Sequence, residues 1–141
     1  MRGDKATVKS YFDFPIENPG NDIWYVADTR FVSKMKPDKI VPFQESDFDT
    51  YYSAILPIDF RKTLEKINIK KLVKDKSTET SELIVVSPAT SKMKATYSEG
   101  TKTVTLSLIT KSPEFGQFTI DYHFKVLTDG NIKFSYVRFI I

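Results

Sequence analysis

The sequence predicts an α+β domain in which N-terminal helices pack on a curved antiparallel sheet. Three observations predict it. Up to about Asn68 the apolar residues recur at helical spacing, beyond it they alternate with polar residues at a period of two, and that switch happens once, with no internal repeat. The 141 residues fit one domain spanning 1–141. A chain of this size buries roughly 68 to 70% of the surface it exposes when unfolded, so a core forms without metal or disulfide support.

Taken in order, "DKATVKSYFDFP" sets Val8, Tyr11 and Phe12 on one helical stripe, with Asp4 as N-cap and Pro15 as the stop. After the turn-rich "IENPGND", the spacing of Ile23, Val26, Ala27 and Phe31 behind Asn21 predicts a second helix. The same Ile, Trp, Tyr and Val would also suit a strand. Residues 33–45, with two prolines, read as a connection holding one short extended piece. "ESDFDTYYSAIL" gives the strongest helical pattern: Ser46 and Asp49 have capping-box spacing, and Phe48, Tyr51, Tyr52 and Ile55 follow i, i+3, i+4, i+7. Pro57 suits the first turn of a further helix that aligns Phe60, Leu64 and Ile67.

The second half predicts strands. "INIKKLV" and "SELIVVS" are the first two, the latter a continuous apolar run. In "SKMKATYSEGTKTVTLSLIT", Met93, Ala95 and Tyr97 alternate with polar residues, the chain turns at Ser98–Gly100, and Val104, Leu106 and Leu108 alternate against Thr103, Thr105 and Ser107. A looser turn at "KSPEFG" leads into "GQFTIDYHFKVLTDGNIKFSYVRF", two strands joined through Asp129, Gly130 and Asn131, residues that tolerate positive φ.

Composition narrows the chemistry. With no cysteine, disulfide frameworks, thiolate nucleophiles and cysteine-ligated zinc or iron-sulfur sites are excluded. A net charge of +3 from 21 cations and 18 anions spread along the chain gives no nucleic-acid signature, and none is assigned as a partner. No apolar run approaches the ~18 residues that span a bilayer. A helical pattern begins directly after "MRGD", so the chain is expected to be a processed form lacking an upstream anchor or signal, through which alone a membrane would enter. Phosphate-binding glycine loops, HExxH, DxDxDG and GxSxG are absent. No catalytic residue, metal ligand or cofactor is assigned. The tripeptide at Arg2–Asp4 matches an adhesion motif, but Asp4 has a capping role available.

The one histidine, His123, shares a strand face with Thr119, Asp121 and Lys125, opposite Phe118, Ile120, Tyr122, Phe124 and Val126. Asp121 and His123, two apart, are near enough to orient an imidazole for general-base work. No serine or second histidine accompanies them, and the outer face of a sheet does not exclude water, so the pair is read as solvated polar surface. The lysines at 66, 70, 71, 74 and 76 have the charge to meet phosphate or an anionic headgroup surface, but read rather as a solvated edge that discourages unwanted strand pairing. By straight alternation, Phe134, Tyr136, Arg138 and Ile140 face one way and Val137, Phe139 and Ile141 the other, so both faces of the last strand are apolar. Val137, Phe139 and Ile141 are therefore candidate interface residues, for a protein partner or a homodimer.

The order of helices followed by long strands ending in "DGNIKFSYVRFII" resembles the nuclear transport factor 2-like (NTF2-like) superfamily, in which a curved sheet wraps helices into a cone. The likeness covers most of the chain and extends to VirB8-like secretion subunits and lipoprotein domains. The last strand departs from the VirB8-like pattern in lacking an Asn-Pro-Leu-Gly-Phe run, and the "FPIENPGND" insertion is long for the superfamily. The resemblance implies an extracytoplasmic or periplasmic assembly domain, possessing a pocket between helices and sheet. Candidate pocket residues are then Tyr11, Trp24, Tyr52, Tyr122, Tyr136 and Arg138. An inward Arg138 needs a carboxylate or bound anion, whereas at the sheet's end its head stays in water; the second is the less costly arrangement. The leading expectation is a non-enzymatic protein-binding domain of a cell-envelope or secretion complex. The alternative is a small hydrophobic-ligand or isomerase-like module using the pocket.

Overall fold

The structure is a computed structural model that describes residues 5–28, 39–114 and 116–140. Helices α1 (Lys5–Lys9), α2 (Asp22–Ala27), α3 (Glu45–Ile55), α4 (Ile58–Leu64) and α5 (Ile69–Asp75) precede strands β1 (Ser77–Glu79), β2 (Thr90–Ser98), β3 (Thr103–Ser112), β4 (Gly116–Val126) and β5 (Ile132–Ile140). The strands pair antiparallel in chain order as one open five-stranded meander. The class is α+β, helices first and strands after. The Arg2–Asp4 tripeptide with its cap, Phe31 and Ile141 lie outside the described residues.

The core lies between the helices and one sheet face. Cross-strand register lines up Thr78, Ala95, Leu106, Tyr122 and Val137 in one inner row, and Met93, Leu108, Ile120 and Phe139 in the next. Phe60 of α4 sits on Tyr122 with ring centroids 4.4 Å apart. Phe12 is held between Phe48 at 4.8 Å and Phe134 at 4.7 Å. Each such buried ring contributes about 1.5–3 kcal/mol of transfer free energy, so this layer is the main source of stability.

Local details depart from the sequence pattern for identifiable reasons. Helix α1 stops at Lys9, well short of Pro15, because the Tyr11 carbonyl turns to accept the Phe134 N–H at 2.8 Å. Val8 and Phe12 stay buried while Tyr11 turns outward. Asn21 precedes α2 but does not cap it; in left-handed geometry, its amide binds Lys39 O and Val41 N–H, both at 2.8 Å. The α3 cap is Gln44 with Asp47, whose Oδ2 accepts the Gln44 N–H at 2.8 Å, not Ser46 with Asp49. The chain enters this helix from Phe43, pinned to Ile16 by two backbone hydrogen bonds, and Asp49 is left to pair with Lys9 at 2.8 Å. That Ile16–Phe43 bridge is the short extended piece expected before the helix.

Two expected strands are not strands. "INIKKLV" becomes α5: the adjacent lysines break the alternation, and Asn68 Oδ1 accepts the Lys71 N–H at 3.0 Å as a helix cap. "SELIVVS" makes only an isolated bridge between Leu83 and Ser91. The strand beside β2 is instead β1, and since Leu83 already faces the start of β2, Ile84 and Val86 overhang it, 71% and 58% exposed.

A β-bulge decides which way β5 faces. His123 pairs with Tyr136 but Phe124 pairs with Phe134, so Ser135 is an extra residue, and every later side chain is reversed relative to straight alternation. Val137 and Phe139, expected on a partner face, therefore point into the protein. Val137 is 1% exposed, and Phe139 packs on Tyr25 at 4.5 Å and Phe118 at 5.5 Å. Tyr136 and Arg138 move to the outer face.

The free edge of β5 is also covered. Asn18, fully buried, donates through Nδ2 to Val137 O at 3.0 Å and accepts the Val137 N–H on Oδ1 at 2.7 Å. Asp22 Oδ2 accepts the Phe139 N–H at 2.7 Å. Residues of the N-terminal segment thus occupy hydrogen-bonding positions that an added strand would need.

Candidate apolar binding cleft

Helix α5 carries Ile69, Leu72 and Val73 at i, i+3, i+4, a single stripe, and is closed by its C-cap Lys76, whose φ is +63°. None of its residues is fully buried. It rests against β1 and β2 at one end of the sheet, where the helical layer does not seat fully on the strands.

What remains is a cleft of about 310 Å³. Its helical wall is Leu64, Ile67, Ile69 and Leu72; its floor is Val104, Leu106 and Phe124 of the inner sheet face; Tyr11 and Ile132 close the far side. Leu72 and Val104 also line an adjoining hollow of about 230 Å³ bounded by Val73, Lys76 and Tyr97, so the two lie side by side along α5 and are together termed the trough. The rim is braced by Lys76, whose Nζ lies 5.4 Å from the Tyr97 ring and 2.8 Å from Glu99 Oε1. The apolar surface continues past the mouth, where Ile69 is 71% and Val73 66% exposed. Among the described residues, the polar side chains lining the trough are the Tyr11 and Tyr97 hydroxyls and the Lys76 amine, and the carboxylate at its rim, Glu99, is paired with Lys76. A surface of this kind takes apolar groups and offers proton chemistry almost nothing.

Of the six candidate pocket residues, the cleft contains only Tyr11. Trp24 is buried elsewhere, its indole N–H donating to Val41 O at 2.9 Å. Tyr52 sits on α3 against Phe48, its hydroxyl shielded and without a hydrogen bond among the described residues. Tyr122 is wholly buried and donates from Oη to Ile55 O at 2.7 Å. Burial, followed by the charge of Asp59, pushes its phenol far above the ordinary tyrosine range. Tyr136 and Arg138 lie on the opposite face of the sheet, with the Arg138 guanidinium 6.0 Å from the Tyr136 ring.

On that outer face Thr96, Thr105, His123 and Tyr136 form one cross-strand row, and Lys94, Ser107, Asp121 and Arg138 the next. His123 and Asp121 form no hydrogen bond with each other. The imidazole instead stacks on Tyr136 at 4.3 Å, and its Nδ1 lies 3.1 Å from Thr105 Oγ1. Partial burial depresses its pKa, Asp121 opposes that, and Arg138 adds to it. Asp121 Oδ1 is shielded and accepts no hydrogen bond among the described residues. No group of three or more potential metal ligands occurs among the described residues, and no described helix is long and apolar enough to cross a membrane.

The fold and site together define a helix-backed antiparallel meander with an apolar trough under its last helix. No protein-family model, no curated protein and no solved structure matches the chain.

Proposed function

We propose that this chain is a non-enzymatic binding module that takes an apolar group of a partner into the trough between α5 and the inner sheet face. The observation that carries this reading is the trough's lining: aliphatic and aromatic side chains throughout, joined to an exposed apolar stripe on α5. An apolar surface left open to water favours association with whatever covers it. The partner surface thus belongs to the α5 side, while the C-terminal strand, with its edge occupied by Asn18 and Asp22, serves the core. Membership of an extracytoplasmic, NTF2-like assembly stays within this proposal. The NTF2-like part is supported by the order of helices and then a strand meander, with Phe60 of α4 packed on Tyr122 of the inner sheet face.

The test is a fluorescence titration with Nile red, a neutral apolar probe, against the wild type, Val104→Trp, which fills the trough, and Thr105→Trp, which points to the other face. Saturable binding lost in Val104→Trp and kept in Thr105→Trp is the expected result. Absence of binding, or equal binding by both variants with unchanged circular dichroism, would overturn the reading.

A further inference from the structure

We infer that the occupant of the trough is an acidic amphipathic helical segment of a protein partner. This rests on the binding reading above and adds the partner's chemistry. At 100° per residue, Lys70 and Lys74 flank the Val73 side of the α5 stripe, the side that is turned to water. Lys70, Lys71 and Lys74 are all exposed and take part in none of the ion pairs among the described residues. Lys66, on the turn before α5, is exposed as well. An apolar trough with cations along its lip is complementary to a helix presenting apolar residues at i, i+3, i+4 and i+7 with carboxylates beside them. The apolar surface extends from the trough out over Ile69 and Val73, further than a small molecule seated inside would cover. At the β5 edge an extended peptide is disfavoured, because Asn18 and Asp22 already hold backbone N–H groups that it would use.

The experiment follows fluorescence anisotropy of a labelled model peptide with Leu at helical spacing and Glu elsewhere, beside a twin in which Lys replaces Glu. Vesicles of phosphatidylcholine and phosphatidylglycerol are tested by co-sedimentation, and Nile red binding is run in parallel. The acidic peptide is expected to bind at least about tenfold more tightly than its basic twin, and this preference should shrink as salt screens the lysine rim. The double variant Lys70→Glu/Lys74→Glu, altered only at exposed positions, should reverse the preference while Nile red still binds. Val104→Trp should abolish peptide binding. Nile red binding without preference for the acidic peptide would overturn this inference and leave the trough's binding role standing. Binding to anionic vesicles in place of the peptide would overturn it in favour of a membrane surface, and peptide binding indifferent to Val104→Trp would overturn it by placing the contact elsewhere. Loss of Nile red binding in the wild type would remove both readings.

Discussion

The side-chain amide of Asn18 binds both backbone groups of Val137, accepting its N–H at 2.7 Å and donating to its carbonyl at 3.0 Å, so one buried residue stands in for a neighbouring strand at the edge of β5. Asn18→Ala would leave a buried donor and a buried acceptor unmade. An unsatisfied buried group costs about 1–3 kcal/mol, so the substitution should remove about 3 kcal/mol of stability. Urea unfolding followed by Trp24 fluorescence measures this; a loss under about 0.5 kcal/mol would mean that water or backbone movement replaces the amide.

Tyr122 ties the sheet to the last turn of α3 through its hydrogen bond to the Ile55 carbonyl. Tyr122→Phe should cost about 1–2 kcal/mol near neutral pH, because the carbonyl loses its partner inside the core. The same tyrosine gives a pH signature. Its folded pKa is raised, chiefly by burial, so above about pH 10 the unfolded chain loses this proton while the folded one keeps it. The contribution is constant below that pH and declines as pH rises past it. Stability of the wild type should therefore fall more steeply above pH 10 than that of Tyr122→Phe; parallel curves would show that the phenol reaches solvent.

His123 is the only histidine, so its imidazole titrates as a single resolved proton signal in nuclear magnetic resonance. Its midpoint should fall below about 6.5 because burial disfavours the cation. Asp121→Asn should lower it further, and Arg138→Gln should raise it. With the folded pKa depressed, the stability linked to this group is present above about 6.5 and is lost as pH falls through the folded value. A midpoint at or above 6.5 would mean that the Asp121 charge outweighs desolvation.

Much of the sheet was legible because alternation is a strong signal when one face is buried: Met93, Ala95, Leu106, Leu108, Ile120 and Tyr122 all point inward as their spacing predicts. The β5 assignments failed on one residue. Straight counting from Phe134 puts Tyr136 and Arg138 inside, and the bulge at Ser135, a tertiary feature without a sequence marker, reverses them. The cleft is not legible in the sequence because "INIKKLV" has apolar residues compatible with two periods. The signal that separates them is Asn68 in capping position ahead of Ile69, Leu72 and Val73. The exposure of Ile84 and Val86 was not legible, since an apolar run specifies burial only where a neighbouring layer exists to provide it.

The central claim is that the trough beneath α5 receives an apolar partner group, and methyl-resolved nuclear magnetic resonance during titration with Nile red tests it most directly. The account predicts shifts at Leu64, Leu72, Val104 and Leu106, with none at Ile109 or Ile140 across the sheet. Shifts gathered on the outer face, or a spectrum that does not move at saturating probe, would contradict it.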